Sequence, residues 1–251
     1  MILETTGRTL TPGSDAGKWR PAPAAPYHAG MGPTNLNDTP VVLGLLIANA
    51  LAFVAYLLIG PAVVIGFGLW PLGTEGLAAR LGAGPIPGFE IWQLLTYGFL
   101  HGGMLHLFVN MFALWMFGTA LESFWGSRPF ATFYLVCLIG AGVIQLVVAT
   151  MAASSGSIYP TIGASGAVFG ILLGFAMMFP NQQLMLLFPP IPIKAKYFVI
   201  LYGAFELYAG VTGSMSGVAH FAHLGGMAFG LLMILYWRGQ LPVKPRRRLM
   251  R

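Results

Sequence analysis

Between Val41 and Trp237 the chain is a succession of apolar stretches, broken by glycine and proline rather than by charge. A helix needs about 20 apolar residues to cross a hydrocarbon core of about 30 Å. Six stretches meet or approach that length: about Val41–Gly60, Gly103–Leu121, Phe130–Ala152, Ser165–Phe179, Lys196–Val211 and Val218–Trp237. The chain is 57% hydrophobic and only 8% charged, against about 25% charged in a soluble domain. So little polar surface cannot cover a water-soluble globule. The expected fold class is all-α: a polytopic membrane bundle of six transmembrane helices, in contact with the lipid bilayer on all sides.

Three regions follow. Residues 1–39 carry charges, prolines and glycines without an apolar core, and read as a flexible cytoplasmic extension rather than a signal peptide. Residues 40–240 form the membrane domain. Residues 241–251 form a basic cytoplasmic tail. The connection from Pro61 to Leu100 is semi-apolar but interrupted by Pro71, Pro85 and Pro87, which suits an interfacial segment better than a clean span.

Orientation follows from the basic residues. With both termini cytoplasmic, twelve of the 13 Lys and Arg fall inside and only Arg80 falls outside. The Arg246-Arg247-Arg248 tail then rests against anionic headgroups. No basic face interleaved with aromatics is present, so nucleic acid is not an expected partner. The expected location is a bacterial inner membrane. The single cysteine, Cys137, lies in an apolar stretch and reads as a small buried hydrophobe.

With that topology four polar side chains come to similar depth below the outer surface: Ser165, His223, His106 and Asn110. His106 and Asn110 are spaced i, i+4 and share a helix face. Ionisable groups within a membrane are costly and normally face a protein interior or a wet cavity. A serine hydroxyl becomes a nucleophile when a nearby base takes its proton, and neutral histidine suits that role near pH 7. Attack on a peptide carbonyl creates an oxyanion that donors must stabilise. The backbone N–H of Ser165 and the side chains of Asn110 and His106 are the candidates. None of the seven acidic residues lies in the fourth or sixth helix, so a Ser–His dyad is the economical reading.

Each of these residues also has a packing role open to it. Gly166, Gly170 and Gly174 form a small-xxx-small ladder, as do Gly226 and Gly230, and such ladders bring helices close. Taken alone, Ser165 fits interhelical packing, and Asn110 fits a hydrogen-bonding bridge with His106. The two roles are compatible, because the ladders would bring the fourth and sixth helices together and let Ser165 reach His223. Phe169, one turn after Ser165, would then pack against the imidazole.

The set resembles the rhomboid intramembrane serine proteases, over essentially all of residues 40–240. The pieces that carry the resemblance are His101-x4-His106-x3-Asn110, Gly118-x3-Glu122-x3-Gly126, Gly163-x-Ser165-Gly166 with Gly170, and Ala222-His223-x2-Gly226-x3-Gly230. Their order and spacing relative to six spans make the set specific. The resemblance implies Ser165 as nucleophile, His223 as base, His106 and Asn110 as oxyanion contributors, and Phe169 as the aromatic beside the base. It implies cleavage of transmembrane protein substrates, with small residues at the cut. His220 lacks the H-x-x-G-x-x-x-G register that His223 has.

Two residues depart from the family pattern. Trp92-Gln93 stands where many relatives have Trp-Arg, so loop–lipid contacts are not carried over. Glu206, within the fifth helix, has no role that the resemblance supplies. An intramembrane carboxylate is a functional candidate, and pairing or protonation would equally explain it. Glu206→Gln is expected to alter activity without abolishing it. Glu122 is expected to be structural. The fifth helix and the Thr212–Gly217 loop are candidates for a gate and a lid.

Two competing functions share the architecture. A catalytically inactive rhomboid-like protein that binds or escorts membrane clients would lack Ser165 or His223, and both are present. A metal-dependent enzyme or transporter could use His101, His106, His220 and His223. No H-E-x-x-H occurs, however, and no carboxylate accompanies the histidines within the sixth helix. No metal and no cofactor is therefore expected.

Overall fold

The computed structural model describes residues 36–74, 87–185, 190–215 and 217–245. Most of the N-terminal extension, Arg80, Ser216 and the Arg246-Arg247-Arg248 tail lie outside the described residues. The described chain is predominantly helical, as the apolar stretches require.

Helix α1 runs Pro40–Ile59, with proline at its first turn, and ends at Gly60, whose φ of 81° terminates it. Proline suits that position because its missing N–H is one the helix start leaves unpaired anyway. The next two free N–H groups are satisfied from another helix: Val41 and Val42 donate to Glu122 at 3.0 and 2.8 Å. Most of α1 is otherwise outward-facing, with Leu51, Leu57 and Leu58 exposed, a surface suited to lipid. A short helix α2 follows at Ala62–Phe67.

The connection before the second span is irregular, as its prolines dictate. Its described residues include a one-turn helix α3, Gln93–Thr96, continued by a 3-10 turn at Tyr97–Phe99. Gln93 is buried, accepts from the Trp70 N–H at 3.1 Å and donates to the Gly88 carbonyl at 3.3 Å. At this departure from the family pattern the side chain faces the protein and ties the loop together. A backbone bridge between Leu69 and Thr161 fastens the same loop to the segment that leads into the fourth principal helix.

Helix α4, Met104–Ala113, passes through a π turn at Leu114–Gly118 into α5, Thr119–Trp125, as one 22-residue apolar span. Gly126, with φ 86°, turns the chain into α6, Ser127–Ser154. Then come α7, Ser165–Met178; α8, Ala195–Thr212; and α9, His220–Trp237. Between α7 and α8 lies a small antiparallel hairpin, β1 Gln183–Met185 against β2 Pro192–Lys194. Among the described residues the hairpin adds two strands to an otherwise helical reading; Pro180 ends helical structure there, and the backbone groups pair across strands instead.

Among the described residues, six principal helices thus stand close to where six spans were read, with their ends shifted by at most four residues. Four of them, Pro40–Ile59, Met104–Trp125, Ser127–Ser154 and His220–Trp237, are long and apolar enough to cross a membrane among the described residues. Helix α7 has 14 residues, about 21 Å at 1.5 Å each, and is too short alone. It is nearly all buried, packed against α6 and α9, so its short length is surrounded by protein.

Glycine sets those contacts. A Cβ on Gly226 would collide with the carbonyl of Gly166, and one on Gly170 would lie 2.9 Å from the Gly226 carbonyl oxygen. Cys137 fills the space beside Gly170 and is fully buried, as its apolar surroundings in the sequence led one to expect.

Candidate active site

Helix α7 begins at Ser165, and the residues before it are held by backbone pairing. The Gly163 N–H donates to the Tyr97 carbonyl at 2.9 Å. Gly163 has φ +129°, a conformation that side chains disfavour. A Cβ there would also come 2.9 Å from His106 Nε2. Glycine at 163 therefore lets the chain turn and brings the His106 ring against the start of α7.

On the other side of Ser165 stands α9. The Ser165 Oγ and His223 Nε2 are 2.8 Å apart, hydrogen-bond distance for a hydroxyl donating to a neutral imidazole. The contact joins residues 58 positions apart in sequence and exists because α7 and α9 touch through Gly166, Gly170, Gly226 and Gly230. Phe169 stacks on His223 with ring centroids 4.1 Å apart and planes within 6°. Phe169 also meets Tyr202 of α8, with centroids 4.9 Å apart and planes tilted by 50°. The imidazole is thereby confined to a slot in which its plane is set.

The remaining nitrogen of His223 has a partner that the dyad reading did not name. Nδ1 lies 2.9 Å from Glu206 Oε2 on α8, and the same oxygen is 2.7 Å from Nδ1 of His220. Glu206 is 2% exposed and His220 5%. An acidic residue does stand behind the base. The helices that carry Ser165 and His223 hold no acidic residue, and α8 supplies one laterally. The signal was available: Glu206 lies six residues before the end of α8, about 9 Å, and α9 runs back antiparallel from His220. That places the carboxylate and both histidines at the same end of a helical pair. Glu206, His220 and His223 also offer ligand atoms close enough for a metal ion, but their direct N···O contacts of 2.7 and 2.9 Å already pair these atoms with one another.

His106 and Asn110 lie on α4 as the i, i+4 spacing requires. The Gly102 N–H reaches His106 Nδ1 at 3.4 Å. An accepting Nδ1 places the ring proton on Nε2, the nitrogen that faces Gly163. Asn110 is buried and donates from Nδ2 to the His106 carbonyl at 2.9 Å. The expected Asn110–His106 partnership therefore runs through the backbone rather than between the two side chains. An amide NH2 has two donors, and this bond uses one. His101 packs edge-on against His106, centroids 4.9 Å apart.

Ser165, Phe169 and Glu206 each contact His223, His106 borders Gly163, and Asn110 joins the group through His106. Glu122 is remote from them, at the foot of α1, where it also accepts from the Ser127 hydroxyl at 2.6 Å.

A multi-pass helical membrane protein with a hydroxyl bonded to a buried imidazole at the ends of two glycine-packed helices is the class these features define. Residues 88–240, more than half of the chain, match the rhomboid domain. The chain belongs to the rhomboid family. It is similar to Rhomboid protein 1, mitochondrial, of Saccharomyces cerevisiae, with 32% identity over 157 residues, 62% of this chain and 45% of that protein. It is also similar to RHOMBOID-like protein 4 of Arabidopsis thaliana, 32% identical over 149 residues, 59% of this chain and 34% of that one. Rhomboid protease GluP of Bacillus subtilis is 33% identical over 141 residues, 56% of this chain and 25% of that protein. The chain spans less than half the length of these curated relatives.

Proposed function

We propose that the protein is an intramembrane serine endopeptidase that cleaves transmembrane segments of other membrane proteins. The observation that carries this reading is the 2.8 Å contact between Ser165 Oγ and His223 Nε2. His223 takes the hydroxyl proton as Oγ attacks the scissile carbonyl. The tetrahedral oxyanion meets donors from the Ser165 backbone, His106 Nε2–H and Asn110. His223 then delivers the proton to the leaving amine, leaving an acyl ester on Ser165. Water, deprotonated by the same imidazole, hydrolyses that ester and restores the hydroxyl. A helical substrate must unwind first, because its carbonyls are otherwise hydrogen-bonded, and the rhomboid likeness favours small residues at the cut.

The Bacillus relative bears the word protease in its name, and its likeness supports the catalytic reading over an inactive client-binding role. An inactive relative would be expected to lack Ser165 or His223, and here both are present and within hydrogen-bond distance of each other. Orientation with both termini cytoplasmic in a bacterial inner membrane belongs to the same proposal, supported by the Lys and Arg distribution. The relatives named as mitochondrial favour a mitochondrial membrane as the second location. Terminal reporter fusions in the source cell decide between them.

The test of the activity is cleavage of a model transmembrane substrate by wild type, Ser165→Ala and His223→Ala, with fluorophosphonate labelling alongside. Both variants should lose cleavage, and Ser165→Ala should lose the label. Retained cleavage in both ends the proposal.

A further inference from the structure

We propose that Glu206 and His220 form a positioning pair for His223, in which both imidazoles donate Nδ1–H to the single carboxylate oxygen Oε2 of Glu206. The proposal rests on the reading of Ser165 and His223 as nucleophile and base. It extends that reading from a dyad to a hydrogen-bonded chain running Ser165–His223–Glu206–His220.

The donor inventory leads there. Ser165 Oγ occupies Nε2 of His223 at 2.8 Å. For that nitrogen to accept the hydroxyl proton, the ring must carry its own proton on Nδ1. Nδ1–H then needs an acceptor, and Glu206 Oε2 stands 2.9 Å away. An ionised carboxylate oxygen only accepts, so it selects the tautomer that catalysis needs. His220 is bound at both ends: its Nδ1 lies 2.7 Å from the same Oε2 and its Nε2 lies 3.2 Å from the Ser214 carbonyl oxygen. A backbone carbonyl cannot donate. With two acceptors, His220 carries a proton on each nitrogen and is an imidazolium, the counter-charge that a carboxylate buried at this depth requires. The pair is neutral as a whole, which leaves His223 neutral and able to act as base.

The arrangement also ties three segments together. Glu206 comes from α8, His220 and His223 from α9, and Ser214 from the turn that joins them. Among the described residues, Tyr202 from α8 also faces Glu206 and His106 from α4 faces His223. Glu206 touches neither substrate nor the reacting hydroxyl. It acts through His223 and is a positioning residue.

Its removal and the removal of its counter-charge should therefore have opposite signatures. In Glu206→Gln the imidazolium form of His223 loses its negative partner, so the acidic limb of the kcat/KM profile moves to lower pH, by about one pH unit. The tautomer is no longer selected, and plateau kcat falls on the order of ten-fold with KM little changed. In His220→Gln the carboxylate keeps a hydrogen bond but loses its counter-charge. The imidazolium of His223 is stabilised, and the acidic limb moves to higher pH.

The experiment is the pH profile of model-substrate cleavage for wild type, both variants and Ser165→Ala, with 15N-histidine NMR of the unmutated protein. Opposite limb displacements support the pair. Limbs that stay in place, or move together, overturn it, as a packing role alone would change only the folded fraction. The NMR arm decides the question if a variant does not fold: the proposal requires one Nδ1–H ring and one doubly protonated ring at neutral pH. Nε2–H tautomers throughout would overturn it. Residual cleavage by Ser165→Ala would instead indict the serine reading, so the two failures are told apart.

Discussion

Gly226 on α9 sits against the carbonyl of Gly166 on α7 so closely that no side chain fits between them. This one approach sets the separation of the helices that carry the serine and the histidine. Gly166 is the residue after Ser165, and Gly226 lies one turn after His223. The glycines and the polar pair are therefore parts of the same contact.

Gly226→Ala should be among the most damaging small substitutions in the chain. The obstacle is backbone, which cannot rotate away as a side chain can, so overpacking should cost about 3 kcal/mol. Thermal unfolding in detergent should show a clear loss of stability, with cleavage lost alongside. Gly44→Ala is the control, since nothing lies within 4 Å of a Cβ there. It should be neutral or stabilising by about 0.5–1 kcal/mol, as alanine is the better helix former.

Replacing Phe169 separates shape from chemistry. Its ring lies flat on His223 at 4.1 Å. Phe169→Tyr preserves the plane and should cleave within about two-fold of wild type. Phe169→Leu leaves the imidazole free to tilt. Its kcat should fall about ten-fold with little change in KM, the pattern of an interaction needed to orient the base. Equal kinetics for both variants would remove Phe169 from the orienting role.

Asn110→Ala removes an oxyanion donor candidate whose other visible task is a single bond to the His106 carbonyl. Loss of one such donor lowers kcat by about 10²–10³ where it acts on the transition state. Steady-state kinetics should show that fall at nearly constant KM. A loss confined to stability would reduce Asn110 to a bridge within α4.

Glu122 should behave in the opposite way. It accepts two N–H groups at the start of α1 and the Ser127 hydroxyl. Glu122→Ala leaves the buried Val42 N–H and two part-buried donors without this acceptor and should cost about 3 kcal/mol, since hydrogen bonds to a charged acceptor are each worth about 1.5–3 kcal/mol. Molecules that still fold should cleave at the wild-type rate per active site, counted by fluorophosphonate labelling.

Chelators provide the check on the Glu206–His220–His223 cluster. These side chains are already paired with one another, so EDTA and 1,10-phenanthroline should leave cleavage unchanged. Loss of activity on chelation, restored by added zinc, would replace the serine mechanism with a metal one.

Much of the site was legible because its parts carry local signatures. His106 and Asn110 share a face by simple i, i+4 arithmetic. The glycine ladders of α7 and α9 announce a close helix pair. Phe169 falls one turn from Ser165, where a ring must meet whatever α9 presents. The short α7 was legible as an apolar run that stops at Pro180. Glu206 was visible as an anomaly, a carboxylate in an apolar helix, but not as a partner. Its distance from His223 depends on how α8 leans on α9, and no spacing within one helix encodes that.

The sequence by itself determined a helical membrane protein, because its low charge, 8%, comes with unbroken apolar runs of about 20 residues, and a run of that kind satisfies its backbone in lipid within its own helix. Its spacings also determined which faces carry the serine, the histidines and the asparagine. Only the tertiary structure decided that His223 is held from behind, by a carboxylate it shares with His220. That is a matter of three side chains from two helices meeting within 3 Å. Such distances follow from helix packing, where glycine and bulky residues set separation and tilt, and not from the periodicity of any one segment.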